Sequence, residues 1–371
     1  MKQKLTIGII GAGSFADFAA KAFLKIQGIK IIAVSDINEE TGKLLAEELD
    51  SKFYSEYKML LEDKNVDLVY IATPPFLHFE ISKATLKAGK HVICEKPAAL
   101  KASDAEELRS IAKEFNLLYV VNLMQRYNPL YKIVKDIVEQ KLMGNFLHGF
   151  FENYASDENL NEQHWFWNEE KSGGIFIEHG VHFFDMFSGW LGDVKVIDAV
   201  QLRRQNASAK IYDRVQATVL YQNGIVNFYH GFDQPKILDR QEMRLQFERG
   251  EITLYEWVPV RMKLHGLLKK EELKSLKKLI GSFTITSHDN SNQVNKKAKG
   301  RFSEIIFDDH VTIEYGNSSE KQSRYQQMVT DMLTDQWSWI KNKDHIRIIN
   351  ENNAIESLRM AEQAKKIAQK F

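Results

Sequence analysis

The chain has 371 residues, and its 50 lysine and arginine residues are balanced by 50 aspartate and glutamate residues. This balance gives no long-range electrostatic reason to expect DNA, RNA or an anionic membrane as a partner. The single cysteine, Cys94, excludes an intrachain disulfide and a cysteine-rich metal site. A hydrophobic fraction of 44% at this length predicts two domains, each with its own core.

The first third of the chain alternates between short apolar runs and amphipathic helical stretches. No run reaches the roughly 18 apolar residues of a membrane helix, so we predict a cytoplasmic protein. The predicted strands are Leu5–Ile10, Ile29–Val34, Leu68–Ala72, His91–Cys94 and Leu118–Val121. The predicted helices are Asp17–Ile26, Glu39–Leu49, Phe76–Lys87 and Ser103–Phe115. Continuous apolar strands separated by helices predict an α/β Rossmann domain, a doubly wound parallel sheet, over residues 1–124.

A glycine-rich turn follows the first predicted strand and opens a helix. Its residues are Gly11, Ala12, Gly13, Ser14, Phe15 and Ala16, which fit G-x-G-x-x-G/A. Gly11 permits a tight turn, Gly13 lets the backbone approach a pyrophosphate, and Ala16 allows close packing of helix on strand. The helix start then presents free N–H groups to the phosphates. An ordinary glycine turn is the alternative.

An acidic residue, Asp36, ends the second strand, twenty residues after Ala16. A carboxylate at this position accepts hydrogen bonds from the ribose hydroxyls of NAD and repels the 2′-phosphate of NADP. The next two residues, Ile37 and Asn38, offer no cation for that phosphate. The sequence therefore predicts NAD(H) as the cofactor.

After Asn122 the pattern changes to one helix, Leu130–Gln140, and then mainly strands. The predicted strands are Phe146–Asn153, Val194–Arg203, Arg214–Tyr221, Ile225–Gly231 and Glu242–Phe247, with an Asn223–Gly224 turn between the third and fourth. Two helices, Ser323–Lys341 and Glu351–Lys370, end the chain. We predict an α+β domain with a large antiparallel sheet over residues 125–371.

A basic segment, residues 261–301, carries eleven lysine and arginine residues against three acidic ones. Nucleic-acid binding is one interpretation, but aromatic residues are almost absent from the segment. We favour a solvated basic helix followed by a flexible loop.

A candidate proton-transfer group lies in a predicted helix, Ile175–Trp190. Glu178, His182 and Asp185 are spaced to share one helix face, where a carboxylate one turn away can orient an imidazole that acts as general base. A hydrogen-bonded core histidine and a metal site that also uses His179 are the alternatives. We predict no metal.

Lys96 follows the strand His91–Cys94, in the segment Glu95-Lys96-Pro97. The carboxyl ends of parallel strands are where doubly wound domains bind ligands, although a surface lysine is the ordinary interpretation of one such residue. Together with the glycine turn, several motifs resemble the glucose–fructose oxidoreductase / inositol dehydrogenase family (Gfo/Idh/MocA). They are Thr73-Pro74-Pro75-x-x-His78, Gly89 to Pro97, Arg126-Tyr127-Asn128-Pro129, Gly173-Gly174, Glu178-x-Gly180-x-His182-x-x-Asp185 and, more loosely, Ser357 to Glu362.

The resemblance implies a nicotinamide-dependent dehydrogenase or reductase of sugars, inositols or related polyols, assembled as a homodimer or homotetramer. It implies that Lys96 and His182 act on the reacting hydroxyl or carbonyl, and we add that Glu178 orients His182. Glu178 stands where the family usually has an aspartate, so a non-catalytic NAD(H)-binding regulatory or sensing member is the alternative. The predicted cofactor contacts are Gly11, Gly13, Ser14, Phe15, Ala16, Asp36, Thr73, Pro74, His78, Glu95, Lys96 and Gln125.

The predicted substrate contacts are Lys96, Arg126, Trp165, Glu178, His179 and His182. Three of the predicted contacts have alternatives. The alternatives are capping of the following helix for His78, an interdomain salt bridge for Arg126 and aromatic packing for Trp165.

Overall fold

The computed structural model describes residues 4–192, 194–207, 210–222, 224–289, 293–300 and 303–371. The chain forms two compact units. The first is Met1–Tyr127, Glu162–Asp185 and Tyr325–Lys366; the second is Asn128–Asn161, Met186–Arg324 and Ile367–Phe371. The division predicted at residue 124 differs from this one, because two later segments of the chain join the first unit. None of the described helices is long and apolar enough to cross a membrane.

The first unit contains a six-stranded parallel sheet in the order β3-β2-β1-β4-β5-β6. Its strands are β1 Leu5–Ile10, β2 Ile29–Ser35, β3 Lys52–Tyr54, β4 Leu68–Ile71, β5 His91–Cys94 and β6 Tyr119–Val121. The connecting helices are α1 Ser14–Phe23, α2 Glu39–Glu48, α3 Tyr57–Glu62, α4 His78–Lys87 and α5 Ala102–Glu114. The strand order reverses between β1 and β4, which is where ligands bind in such sheets.

The remaining helices are α6 Pro129–Glu139, α7 Glu169–Ser172, α8 Val181–Leu191, α9 Lys270–Ile280, α10 Lys321–Lys341 and α11 Glu351–Ile367. The remaining strands are β7 Phe146–Tyr154, β8 Val194–Arg203, β9 Tyr212–Tyr221, β10 Gly224–Gly231, β11 Arg240–Phe247, β12 Gly250–Tyr255, β13 Arg261–Leu268, β14 Thr284–Ser287, β15 Lys296–Lys299, β16 Glu304–Phe307, β17 Asp309–Gly316 and β18 Gln369–Lys370. A π-helical turn, Phe176–Gly180, directly precedes α8.

The second unit contains a ten-stranded, mostly antiparallel sheet in the order β14-β17-β13-β12-β11-β7-β10-β9-β8-β18. The pairs β7–β10 and β8–β18 are parallel, and the others are antiparallel. Alternate residues of the central strands are buried, as in β9, where Val215, Ala217 and Val219 face the core. One sheet face therefore covers the core, and the fold class predicted from the sequence is confirmed.

The structure differs from the prediction in the basic segment. It contains α9, but β13 precedes this helix and β14 and β15 follow it, where a flexible loop was predicted. In β13 the basic residues Arg261 and Lys263 are exposed, whereas Met262 and Leu264 between them are buried. The excess of positive charge thus lies on the solvent face of an amphipathic strand. Asn223 of the predicted hairpin turn lies outside the described residues, although β9 and β10 pair as that turn requires.

Candidate active site

The glycine turn after β1 is shaped by backbone contacts. Gly11 has a φ of +94°, and its N–H donates to the Ser35 carbonyl at 2.8 Å. A Cβ atom on Gly11 would lie 2.6 Å from the Ala72 carbonyl oxygen. Both the left-handed conformation and the close approach of a neighbouring backbone therefore require glycine here.

An open space lies beside the start of α1. A Cβ atom on Gly13 would meet no heavy atom within 4 Å, and no side chain caps the helix, which begins at Ser14. Ala16, one turn further on, is fully buried. Unpaired N–H groups at a helix start bind anions, so the geometry fits a diphosphate at this turn. Phe15 lies next in the helix, with its ring centroid 6.0 Å from that of Tyr325.

Asp36 is held beside the glycine turn by two backbone amides. Its Oδ2 accepts from the Ala12 N–H at 2.6 Å, and its Oδ1 accepts from the Asn38 N–H at 2.7 Å. The carboxylate therefore has a defined position after β2. From that position an acidic residue accepts hydrogen bonds from the ribose hydroxyls of a dinucleotide.

The loops after β4 and β5 are joined by His78. Its side chain is buried, with Nδ1 2.7 Å from the Pro97 carbonyl oxygen and Nε2 2.7 Å from the Thr73 carbonyl oxygen. Because both ring nitrogens face backbone oxygens of the protein, His78 positions the two loops. The capping alternative is not what the structure shows, because Leu77 is the N-cap residue of α4. The contact of His78 with the cofactor stays a prediction. Pro74 precedes a 3₁₀ turn, and the hydroxyl of Thr73 is buried without a hydrogen-bond partner among the described residues.

Glu95, at the end of β5, is bound by side chains of the neighbouring strands. It accepts hydrogen bonds from the Tyr70 hydroxyl and, at 2.8 Å, from Asn122 Nδ2. Loss of hydration raises the pKa of Glu95, an effect that these two hydrogen bonds oppose. Tyr70 and Asn122 were not among the predicted site residues. Their only sequence signal is their place at or just after the ends of β4 and β6.

Lys96 is held by Glu178. Its Nζ donates to the main-chain oxygen of Glu178 at 2.9 Å and to the carboxylate of the same residue. The side chains of Lys96 and Glu178 are 19% and 10% exposed, so water screens this ion pair only weakly. The two residues are 82 positions apart in the chain, and the fold of the first unit brings them together.

His182 lies close enough to Lys96 for the lysine charge to affect its titration. Burial, and secondarily the Lys96 charge, lower the pKa of His182 to about 3. Its Nδ1 is buried and has no hydrogen-bond partner among the described residues. His182 is therefore a neutral imidazole at neutral pH, and none of the described residues fixes its tautomer through Nδ1.

The hypothesis that Glu178 orients His182 is wrong in this structure, because the Glu178 carboxylate binds Lys96 instead. Glu178 lies in the π-helical turn, whereas His182 lies in α8. A π turn contains more residues than an α turn, so residues four apart do not stack as in a regular helix. His179, in the same turn, contacts the ring of Phe183, with centroids 5.2 Å apart.

Arg126 and Asp185 form a second buried ion pair. Arg126 Nε donates to Asp185 Oδ2 at 2.8 Å, and its Nη2 donates to the Asp185 main-chain oxygen at 3.1 Å. Burial raises the pKa of Asp185, and the guanidinium opposes that rise. Both residues belong to the first unit, so this pair is a salt bridge within one unit and not an interdomain one.

The remaining predicted contacts are Gln125 and Trp165. Gln125 is buried in a 3₁₀ turn, Met124–Tyr127. Trp165 is half-buried in a second 3₁₀ turn, with its ring centroid 6.2 Å from that of Phe166. The structure therefore places Trp165 in an aromatic group that includes the buried Trp167.

Two family descriptions match most of the chain. "Oxidoreductase family, NAD-binding Rossmann fold" matches residues 5–123, and "GFO/IDH/MocA C-terminal domain" matches residues 131–253. The chain belongs to the GFO/IDH/MocA oxidoreductase family.

Relatives within the GFO/IDH/MocA family are distant. Oxidoreductase P35 of Formosa agariphila is 27% identical over 260 residues, which cover 68% of this chain and 80% of the relative. Myo-inositol 2-dehydrogenase of Thermotoga maritima is 28% identical over 191 residues, or 51% of this chain and 55% of the relative. The WlbA dehydrogenase of Bordetella pertussis, solved with NADH and UDP-GlcNAcA, superposes with a TM-score of 0.77 at 17% identity, covering 98% of this chain and 96% of that one.

This GFO/IDH/MocA protein thus has an NAD-binding Rossmann domain. The residues present fit the cofactor, since the space beside Gly13 would receive the diphosphate and Asp36 would receive the ribose. The residues around His182 do not support the alternative of a metal site. Among the residues that the structure describes, Glu178, His179, His182 and Asp185 do not form a group of potential ligands within metal-binding distance.

Proposed function

We propose that this protein transfers a hydride between NAD(H) and a hydroxyl or carbonyl carbon of a sugar, inositol or related polyol. The observation that carries the proposal is the half-buried Lys96 ammonium, which follows β5 at the carboxyl edge of the nucleotide-binding sheet, close to a neutral His182. Myo-inositol 2-dehydrogenase among the relatives supports a polyol substrate. When bound, the nicotinamide supplies the hydride acceptor or donor.

The residues of the chain would supply the proton chemistry. Lys96 stabilises negative charge as it develops on the substrate oxygen, either on a hydroxyl that loses its proton or on a carbonyl that receives a hydride. His182 accepts the proton when a hydroxyl is oxidised, because its imidazole is neutral at neutral pH. Glu178 keeps the ammonium of Lys96 in place through its main-chain and side-chain oxygens.

A screen for NAD⁺ reduction with inositols, sugars and sugar phosphates tests this function. We expect absorbance of NADH at 340 nm to rise with at least one polyol or sugar, and the Lys96→Ala variant serves as the negative control. Binding of NADH without turnover of any panel member, in either direction, would contradict the proposal.

One observation favours a second function, that of a non-catalytic NAD(H)-binding sensor. The charge of Lys96 is neutralised by the carboxylate of Glu178, which stands where the family usually has the shorter aspartate. A sensor would bind NADH with the ion pair intact. The same screen separates the two functions, because a sensor would bind the dinucleotide and reduce none.

Asp36 is expected to set the preference for NAD⁺ over NADP⁺. The 2′-phosphate of NADP⁺ would lie against this carboxylate, and like charges in contact weaken binding about tenfold or more. Asp36→Asn should therefore bring the dissociation constants for NAD⁺ and NADP⁺, measured by calorimetry, closer to each other. Asp233→Asn, in the second unit, is a matched control that should leave the ratio unchanged. Equal affinities in the unaltered protein would contradict this role.

We also propose that the protein forms a homodimer or homotetramer through the open face of its large sheet. Leu220 and Ile225 pair across β9 and β10, and both are exposed, at 42% and 39%. An adjacent apolar pair on an uncovered sheet face favours burial in an interface. Light scattering should give a mass above that of the 43.0 kDa chain, and Leu220→Lys/Ile225→Lys should shift it to the monomer. A monomeric unaltered protein would rule this interface out.

A further inference from the structure

Three histidines from separate strands lie on one face of the second unit's sheet. β17 lies between β13 and β14, and its residues His310 and Thr312 point to the same face because they are two positions apart. His265 pairs with Thr312 across β13 and β17. His288, directly after β14, donates its N–H to the His310 carbonyl at 2.8 Å. The register of three strands therefore gathers the imidazoles of His265, His288 and His310, here called the histidine cluster.

The imidazole rings of the histidine cluster are close enough to share one ion. One ring nitrogen from each residue lies within 4.8 Å of those of the other two. Nε2 of His265 and Nε2 of His310 are only 2.8 Å apart, so one of the two rings must be an acceptor there. The ring centroids of His288 and His310 are 4.8 Å apart. Burial, and secondarily the charges of His265 and His288, lower the pKa of His310.

We propose that the histidine cluster binds a divalent transition-metal ion of the Zn²⁺ class through three imidazole nitrogens. Imidazole is the ligand that Zn²⁺, Ni²⁺ and Cu²⁺ favour in proteins, at Zn–N distances of about 2.0–2.1 Å. Tetrahedral bonds of that length place the nitrogens ~3.3 Å apart. The two closest rings must therefore separate by a few tenths of an ångström while the third moves in. His288 is exposed, which leaves a further coordination position for water.

Neighbouring residues support the geometry of this site. The Thr312 hydroxyl lies 2.8 Å from Nε2 of His288 and so orients the ring, as outer-shell hydrogen bonds do at metal sites. The carboxylate of Asp289, next to His288 in the chain, is paired with Lys296 Nζ at 2.6 Å. Nitrogen ligands without a carboxylate disfavour Mg²⁺ and Ca²⁺, which take oxygen ligands.

The ion would fix an edge of the large sheet. β14 is the edge strand, and all four of its residues are exposed. Few apolar contacts therefore hold it, and a metal bound to His288 would tie its end to β13 and β17. Since the histidine cluster shares no residue with the Lys96 site, we assign the ion a structural role.

Calorimetry with Zn²⁺ and Ni²⁺ on the tag-free full chain, after treatment with EDTA, tests the proposal. We expect one ion per chain with a dissociation constant in the micromolar range or tighter, and a rise in melting temperature with saturating metal. His288→Ala should abolish binding at these concentrations, and Thr312→Val should weaken it roughly 10–100-fold. His345→Gln, outside the histidine cluster and in the other unit, should bind as the unaltered protein does.

A second measurement needs no variant. In NMR spectra of the unaltered protein, Zn²⁺ should shift the imidazole resonances of His265, His288 and His310 before those of the other histidines. Absence of binding in the unaltered protein, or binding that leaves these three resonances in place, would overturn the proposal. If the metal does not bind, the proposed hydride transfer is unaffected. That activity is tested separately, by the screen for NAD⁺ reduction with Lys96→Ala as its control.

Discussion

Replacing Lys96 with alanine is expected to lower turnover by roughly 10³-fold or more while the affinity for NADH stays close to that of the unaltered protein. The ammonium of Lys96 is a half-buried positive charge held at 2.9 Å from the main-chain oxygen of Glu178. Charge that develops on a substrate oxygen would lose this stabilisation, whereas the glycine turn and Asp36 remain to bind the dinucleotide. Steady-state kinetics on the substrate found in the screen, together with calorimetry for NADH, measure the two effects.

A control must separate the loss of turnover in Lys96→Ala from a loss of protein stability. Removing the lysine leaves the Glu178 carboxylate, only 10% exposed, without its cation, which should lower the melting temperature. The double variant Lys96→Met/Glu178→Gln removes both charges and should recover much of that stability, but not the turnover. Retained turnover in either variant would remove Lys96 from the mechanism.

The nucleotide-binding sheet was predictable from the sequence because its central strands, β1, β4 and β5, are almost entirely buried on both faces. The runs at Leu5–Ile10 and His91–Cys94 have the predicted bounds. β3 and α3 were missed, since three and six residues are too few to show a periodic pattern. In the second unit, β8 matches the prediction, but β12 to β17 were not predicted. In β13 and β15 exposed basic residues alternate with less exposed residues, so the segment was interpreted as a basic helix and loop, and β14 and β16 are only four residues long.

The candidate site was predictable in its residues but not in its contacts. Lys96, Glu178 and His182 were named from motifs, yet a regular helix was assumed through Glu178. The π-helical turn, Phe176–Gly180, changes the phase of the helix and directs the carboxylate to Lys96. The histidine cluster gave no sequence signal at all, because the register of three strands, and no local spacing, brings its members together.

Replacing Arg126 with alanine is expected to lower the free energy of unfolding by about 3–5 kcal/mol, the usual effect of removing one partner of a buried ion pair. Asp185 is 1% exposed, and its Oδ1 has no hydrogen-bond partner among the described residues, so the carboxylate would be left buried and without compensation. Chemical denaturation followed by circular dichroism measures the loss. Arg126→Leu/Asp185→Asn, which removes both charges, should lose much less.

The loss of unfolding free energy in Arg126→Ala, here called the deficit, should depend on pH. This dependence separates a structural role of Arg126 from a role in substrate binding. Burial raises the pKa of Asp185, and the Arg126 guanidinium opposes that rise, so its removal raises the pKa further. An acid with a raised folded-state pKa destabilises the fold at pH values above that pKa, and the penalty disappears as pH falls toward the unfolded value of about 3.9. The deficit should therefore be smaller at pH 5 than at pH 8. A deficit below about 1 kcal/mol at both pH values, combined with a raised KM for the substrate, would instead place Arg126 in contact with the substrate.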